Sequence, residues 1–273
     1  MLIDIHTHAF PDRVAGPAFE KLSQAAGIPT HLPGTLGALS DSSRAAGFGL
    51  SVVQPVATNP LKVSRLNAFA ADINRRSAET GLLSFAALHP LSPTLAEDIR
   101  EIAALGFRGV KLHPVYQDTP VDEPAFLKAL EGCYTAGLAV LVHGGYDIGL
   151  PGKDTACVAR IRRMLRALPP QRLVLAHMGG WGEWDQMDYL GLPGLYLDTA
   201  FCLRTGCETF LTPEDMRSLI RRHGPERVLF GTDSPWNPQA EELQRIRSLG
   251  LTAEEERLIL GENALRLLGL DQA

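Results

Sequence analysis

With 273 residues, 45% of them hydrophobic and 21% charged, the chain is long enough to bury a large core and short enough to form one α/β barrel domain over 1–273. Its 26 Lys+Arg against 31 Asp+Glu leave a formal charge of −5 with no basic run, so it has no electrostatic footprint for a nucleic acid or an anionic membrane, and a small molecule is the expected partner. The cysteines at 133, 157, 202 and 207 lack zinc-ribbon or CxxC spacing and read as reduced thiols, and no apolar run approaches the ~18 residues of a membrane span; both fit a cytoplasmic protein whose structure starts at its first residues.

Eight short apolar runs, each stopping at a polar residue, alternate with helical segments. Leu2–His6 comes first, followed by a Gly- and Pro-rich connection over 10–48 that is expected to fold over the barrel mouth. Gly49–Gln54 leads into a helix over Lys62–Glu79, and Leu82–His89 into one over Pro93–Leu105 opened by Ser92-Pro93. Phe107–His113 precedes a helix start at Asp122-Glu123-Pro124, and Leu138–His143 precedes a helix over Asp154–Leu168. Arg172–His177 and Gly194–Asp198 follow, then a helix start at Thr212-Pro213, the run Arg227–Asp233 and a helix over Gln239–Leu249. From His8 to Asp233 the seven intervals average about 32 residues, the size of one βαβ unit. Eight such units, with strands apolar on both faces, predict a (β/α)8 TIM barrel; an open doubly wound sheet would call for a GxGxxG turn after the first strand, which the sequence lacks.

Six of the eight histidines (His6, His8, His89, His113, His143 and His177) sit at or beside the C-terminal ends of these runs, the rim on which a barrel gathers its chemistry. His6 and His8 are two apart, a spacing that lets both imidazoles reach one ion. Asp233 ends Val228-Leu229-Phe230-Gly231-Thr232-Asp233, where a carboxylate is costly unless paired or metal-bound, and it is a candidate base for a water proton. His143 and His177 each precede paired glycines. One of them completes a three-histidine, one-aspartate set with an open position, as catalytic zinc prefers, and spacing does not choose between them.

These motifs, the His6/His8 pair, single histidines ending the fifth and sixth runs, Gly231-Thr232-Asp233-Ser234-Pro235 and the tail Ile259-Leu260-Gly261-Glu262-Asn263-Ala264, resemble the amidohydrolase superfamily. Within it the chain is similar to the amidohydrolase-2 branch that includes aminocarboxymuconate semialdehyde decarboxylase. The resemblance implies one divalent ion, zinc first with manganese or iron as alternatives, held by His6, His8, His143 and Asp233, with His177 as the catalytic histidine beside it. It also implies either a hydrolase that uses a metal-bound hydroxide on a small carboxylate-bearing substrate or a non-oxidative decarboxylase.

Other residues stand as substrate-side candidates. Lys111 and His113 share a face; Lys111 reads as a contact for a substrate carboxylate rather than as a carboxylated bridge between two ions, and His113 is also readable as structural. Arg204 on the seventh loop could clamp a carboxylate, and Trp236, with Trp181 and Trp184, could wall an apolar pocket. Asp198 reads as a loop-capping or supporting acid, and a homodimer is the expected assembly.

Overall fold

The computed structural model describes residues 1–203 and 210–271. Its strands are β1 (Leu2–Thr7), β2 (Phe48–Val53), β3 (Leu82–Ser84), β4 (Ala86–Ala87), β5 (Gly109–Leu112), β6 (Ala139–Val142), β7 (Leu173–Leu175), β8 (Leu195–Asp198) and β9 (Val228–Leu229). Every ladder is parallel and joins sequence neighbours, β1-β2-β3 and β4 through β9. β3 and β4 are the two halves of the expected third strand, interrupted at Phe85, whose N–H still donates to Val53 O (3.0 Å), an ordinary ladder distance. The other seam is closed by the chain just past β9: Ile5 N–H donates to Phe230 O (2.9 Å) and Asp233 N–H to His6 O (2.8 Å). The result is the TIM barrel that the alternation predicts.

The helices are α1 (Asp12–Ala26), α2 (Leu36–Ala45), α3 (Val63–Arg75), α4 (Ser77–Thr80), α5 (Leu95–Ala104), α6 (Pro124–Thr135), α7 (Val158–Ala167), α8 (Pro213–His223), α9 (Gln239–Arg247), α10 (Ala253–Arg257) and α11 (Asn263–Leu268). Val140 and Val142 of β6 pack outward with Ile161 and Met164 of α7, whereas Ala139 and Leu141 join Ile3, Ile5 and Val174 in a cluster where strands meet strands. That two-sided burial is why the runs are apolar without alternation.

Several boundaries differ from the sequence expectation. Ser92-Pro93 does not open α5. The helix begins at Leu95, and Ser92 Oγ donates instead to Asp98 (2.5 Å). Pro124 does start α6, but Asp122 is engaged by Arg160 (2.8 Å) and Arg163 (2.6 Å) rather than capping. Thr212 caps α8 as expected, accepting from Asp215 N–H. The connection after β1 folds over the mouth through α1, and His31 ties it down, its ring meeting Pro235 O at 2.6 Å.

Candidate active site

Three of the strand ends that carry chemistry leave regular geometry. His177, Phe201 and Asp233 have left-handed φ values of 59°, 55° and 63°, which non-glycine residues adopt only when their surroundings hold them there. The holding contacts are visible. His177 N–H donates to Asp198 Oδ1 (2.9 Å), and Asp233 N–H to His6 O. Because β9 ends at Leu229, Asp233 sits on the turn beyond the strand rather than on it, and His177 likewise lies in a short 3-10 turn past β7.

His6, His8, His143, His177 and Asp233 all line one cavity of about 890 Å³. Their hydrogen bonds assign the imidazole tautomers. His6 Nδ1 meets Asp198 Oδ2 at 2.8 Å, His8 Nδ1 meets Gln54 O at 2.9 Å, and His177 Nδ1 meets Ala200 O at 2.8 Å. His143 uses Nε2, 3.2 Å from Tyr146 O. Each of these partners can only accept, so each ring carries its proton on that outer nitrogen and turns the other nitrogen, a bare lone pair, inward. The inward atoms face one another or a carboxylate. His8 Nε2 lies 3.1 Å and His6 Nε2 3.5 Å from Asp233 Oδ1, and His143 Nδ1 lies 3.1 Å from His177 Nε2.

Acceptors facing acceptors at such distances repel unless positive charge lies between them. Two ligands on a tetrahedral ion with ~2.1 Å bonds stand about 3.4 Å apart, which is the spacing of the His6, His8 and Asp233 donors. The donor set therefore fits a divalent cation, with ligand atoms of His6, His8 and Asp233 all within 4.8 Å of one another. A second trio, His113, His143 and Asp147, is as close, but its chemistry differs. His113 Nδ1 accepts from Tyr116 N–H (3.4 Å), which leaves the proton on Nε2, and Nε2 of His143 is also protonated; both therefore present N–H to Asp147 Oδ2, 3.6 and 3.9 Å away. That trio is a carboxylate between two donors.

Burial lowers the pKa of His6, His113 and His143 well below the ordinary imidazole value, with neighbouring cationic groups adding to it, so these rings are neutral at pH 7. Burial alone would raise the Asp233 carboxyl, but the imidazoles of His8, His6 and His177 gathered around it outweigh that and hold the group below the usual carboxylate range. Asp198 is pushed up to about 6 by burial, and so is Asp147, with Asp233 adding to the rise. Lys111, 1% exposed, is pushed down to about 8 by burial against the pull of Asp198 and Asp233, and its Nζ is 3.3 Å from His6 Nε2.

Lys111, His113 and Trp236 also line the cavity, as does Trp181; Arg204 lies outside the described residues. Trp184 packs instead, its indole N–H donating to His177 O (2.9 Å). His89 does not line the cavity; its Nδ1 accepts from Leu91 N–H in a turn. Sequence reasoning missed Asp147 and Tyr116. The one cue for Asp147 was a carboxylate four residues after His143 on the loop that follows a chemistry-bearing strand end. Cys133, Cys157 and Cys202 are free thiols, and no helix among the described residues is long and apolar enough to cross a membrane.

A family model described as amidohydrolase matches residues 3–270, and the chain belongs to the amidohydrolase family. No curated protein matches it. Among solved structures it is similar to an uncharacterised TIM-barrel protein from Bordetella bronchiseptica, at 20% identity and TM-score 0.78, covering 100% of this chain and 99% of that one. It is also similar to 5-carboxyvanillate decarboxylase from Sphingomonas paucimobilis, at 19% identity and TM-score 0.67 with 98% of each chain covered. A proposed 2-pyrone-4,6-dicarboxylic acid hydrolase from Pseudomonas putida is similar at 21% identity and TM-score 0.64, with 99% of this chain and 98% of that one covered. At these identities the likenesses establish the fold; the family establishes a metal-dependent enzyme acting on small molecules.

Proposed function

We propose that the protein is a metal-dependent hydrolase of a small carboxylate-bearing substrate, with His6, His8, His143 and Asp233 holding one divalent ion and His177 and Asp233 acting on the reactants. The observation that carries this reading is the set of four imidazoles pinned on their outer nitrogens with their inner lone pairs turned toward one another and toward Asp233. Three imidazoles and a carboxylate suit zinc, with manganese and iron next by donor type. When bound, the ion supplies Lewis acidity, making water a stronger acid and polarising a substrate oxygen.

The chain's own groups do the rest. Asp233, held as the anion, takes the proton of the water that attacks the substrate carbonyl carbon. His177, with Nδ1–H fixed on Ala200 O, offers Nε2 as a hydrogen-bond acceptor that orients that water. Lys111 inside the cavity is the cation for a substrate carboxylate, with Arg204 a second candidate on its sequence position alone, while His113 and Trp236 shape the wall.

Non-oxidative decarboxylation is the second reading. It is favoured by the flat apolar walls of Phe10, Trp181, Phe201 and Trp236 and by the likeness to 5-carboxyvanillate decarboxylase. Purified protein with measured metal content, offered lactones, amides and aromatic acids, separates the two readings. Incorporation of labelled oxygen from water that is lost with the metal supports hydrolysis, release of carbon dioxide without it supports decarboxylation, and a metal-free protein with full turnover overturns both.

A further inference from the structure

The cavity extends well above the metal-ligand group, between two helices that do not touch the chemistry. α1 turns Val14, Ala18 and Leu22, one residue every fourth position, into it, and α3 turns Leu66 and Phe69. These are single helix faces. Val14 is 41% exposed, so the apolar face of α1 is covered only in part by the protein itself.

Four cations edge these walls: Arg13 and Lys21 from α1, Lys62 just before α3, and Arg65 on it. Arg13 and Lys21 are eight residues apart on the same face, about 12 Å along the helix. None of the four makes an ion pair or a side-chain hydrogen bond among the described residues, although Arg75, Arg100, Arg160, Arg162 and Arg221 elsewhere on the surface all do. Among the described residues the acids lining the cavity are Asp147 and Asp233, both deep at the site. In a chain of net charge −5, the mouth is thus left with uncompensated positive charge above an apolar throat.

We propose that this mouth is a distal anion subsite, and that the substrate is an elongated amphipathic molecule: a reacting carboxyl derivative at the ligand group, an apolar body along α1 and α3, and a second anionic group held by Arg13, Lys21, Lys62 and Arg65. The inference rests on the reading of the deep end as the reaction centre, and it names the substrate class of that same site. The negative group is supplied by a carboxylate or a phosphate, since point cations on flexible stems accept either.

The test is calorimetric titration of the full chain with decanedioate, decyl phosphate, decanoate and decanediol, in the wild type and in the combined variant Arg13→Gln, Lys21→Gln, Lys62→Gln, Arg65→Gln. Metal content and thermal stability are measured on the same preparations. The four residues are exposed, so the variant keeps its fold and its metal. Charged probes are expected to bind the wild type, to lose affinity on the order of tenfold or more in the variant, and to weaken as salt rises, while decanediol is indifferent to the substitutions. Stronger binding of decyl phosphate than of decanedioate identifies phosphate as the distal group, and the reverse identifies carboxylate. Equal binding of the anions by wild type and variant overturns the proposal, as does binding confined to anionic vesicles, or self-association of the wild type that the variant abolishes. A metal-free preparation with full turnover would sink the metal-dependent hydrolase, and binding of the probes by that same preparation through the four cations would leave the subsite standing.

Discussion

Asp198 offers the sharpest test of the tautomer argument. Its carboxylate accepts three bonds, from His6 Nδ1 (2.8 Å), His177 N–H (2.9 Å) and Ala200 N–H (3.1 Å), and the residue is fully buried. In Asp198→Asn the amide oxygen serves the two backbone donors, and the amide NH2 is left facing His6. Donor cannot meet donor, so the His6 proton moves to Nε2 and the inward lone pair is lost. Loss of such a supporting partner typically costs about 10–100-fold in metal affinity, and the Asn variant should lie at the upper end of that range. At tenfold per ~1.4 kcal/mol this is about 1.4–2.7 kcal/mol. In Asp198→Ala the three donors lose their acceptor at roughly 1 kcal/mol or more each, so stability falls by at least about 3 kcal/mol. The imidazole nevertheless keeps its proton on Nδ1, so metal affinity falls less than with Asn. The two variants should therefore cross: Ala is the less stable metal-free protein, and Asn is the poorer zinc binder. Competition with a chromophoric chelator measures the affinity, and thermal denaturation of the stripped protein measures the stability. An Asn variant that binds zinc as tightly as the wild type, or more tightly than the Ala variant, refutes the assignment of His6.

His8→Ala should strip metal and activity together, whereas His177→Ala should keep most of the metal while turnover drops by about 10²–10⁴-fold; equal metal loss in both, by elemental analysis, would move His177 into the ligand set. Lys111 competes with a dication for the His6 lone pair while it is an ammonium, and its pKa is about 8, so metal affinity of the wild type should decline as pH falls below 8 more steeply than that of Lys111→Met. Superimposable affinity-versus-pH curves from about 6 to 9 would contradict that competition. Glu242, 1% exposed beside Arg245, is raised by burial from 4.5 to about 7. An acid whose folded pKa is raised lends stability below its unfolded pKa and loses it as pH climbs through the folded one. The wild type should therefore lose up to about 3 kcal/mol relative to Glu242→Gln between pH 4.5 and pH 8, with a melting-temperature difference that shifts toward the variant as pH rises. A difference independent of pH would show that Glu242 titrates normally.

The barrel was legible in the sequence because its cause is local and repeated. A strand buried on both faces must be an apolar run, and a parallel neighbour demands a helix-length crossover, so eight runs about 32 residues apart leave few other folds. The gathering of His6, His8, His143, His177 and Asp233 was legible for the same reason, since parallel strands carry their ends to one rim. Boundaries were less so. Ser92-Pro93 has the chemistry of a helix start, yet Ser92 Oγ is claimed by Asp98, and the helix waits for Leu95.

What only the tertiary structure decided is which way each ring faces. The His6 tautomer is fixed by an acid 192 residues away, and that of His8 by a carbonyl 46 residues away, and neither pairing leaves a trace in local spacing. The same holds for Asp147, drawn into the cavity by the loop after β6, and for the four cations at the mouth. Of these, Arg13 and Lys21 fall in the Gly- and Pro-rich connection over 10–48 and Lys62 and Arg65 on the predicted helix, with nothing in the spacing to join them. Hydropathy patterns record whether a side chain meets water or protein. They do not record which polar atom it meets, because that depends on where the fold brings distant backbone, and the chemistry of this site lies in those meetings.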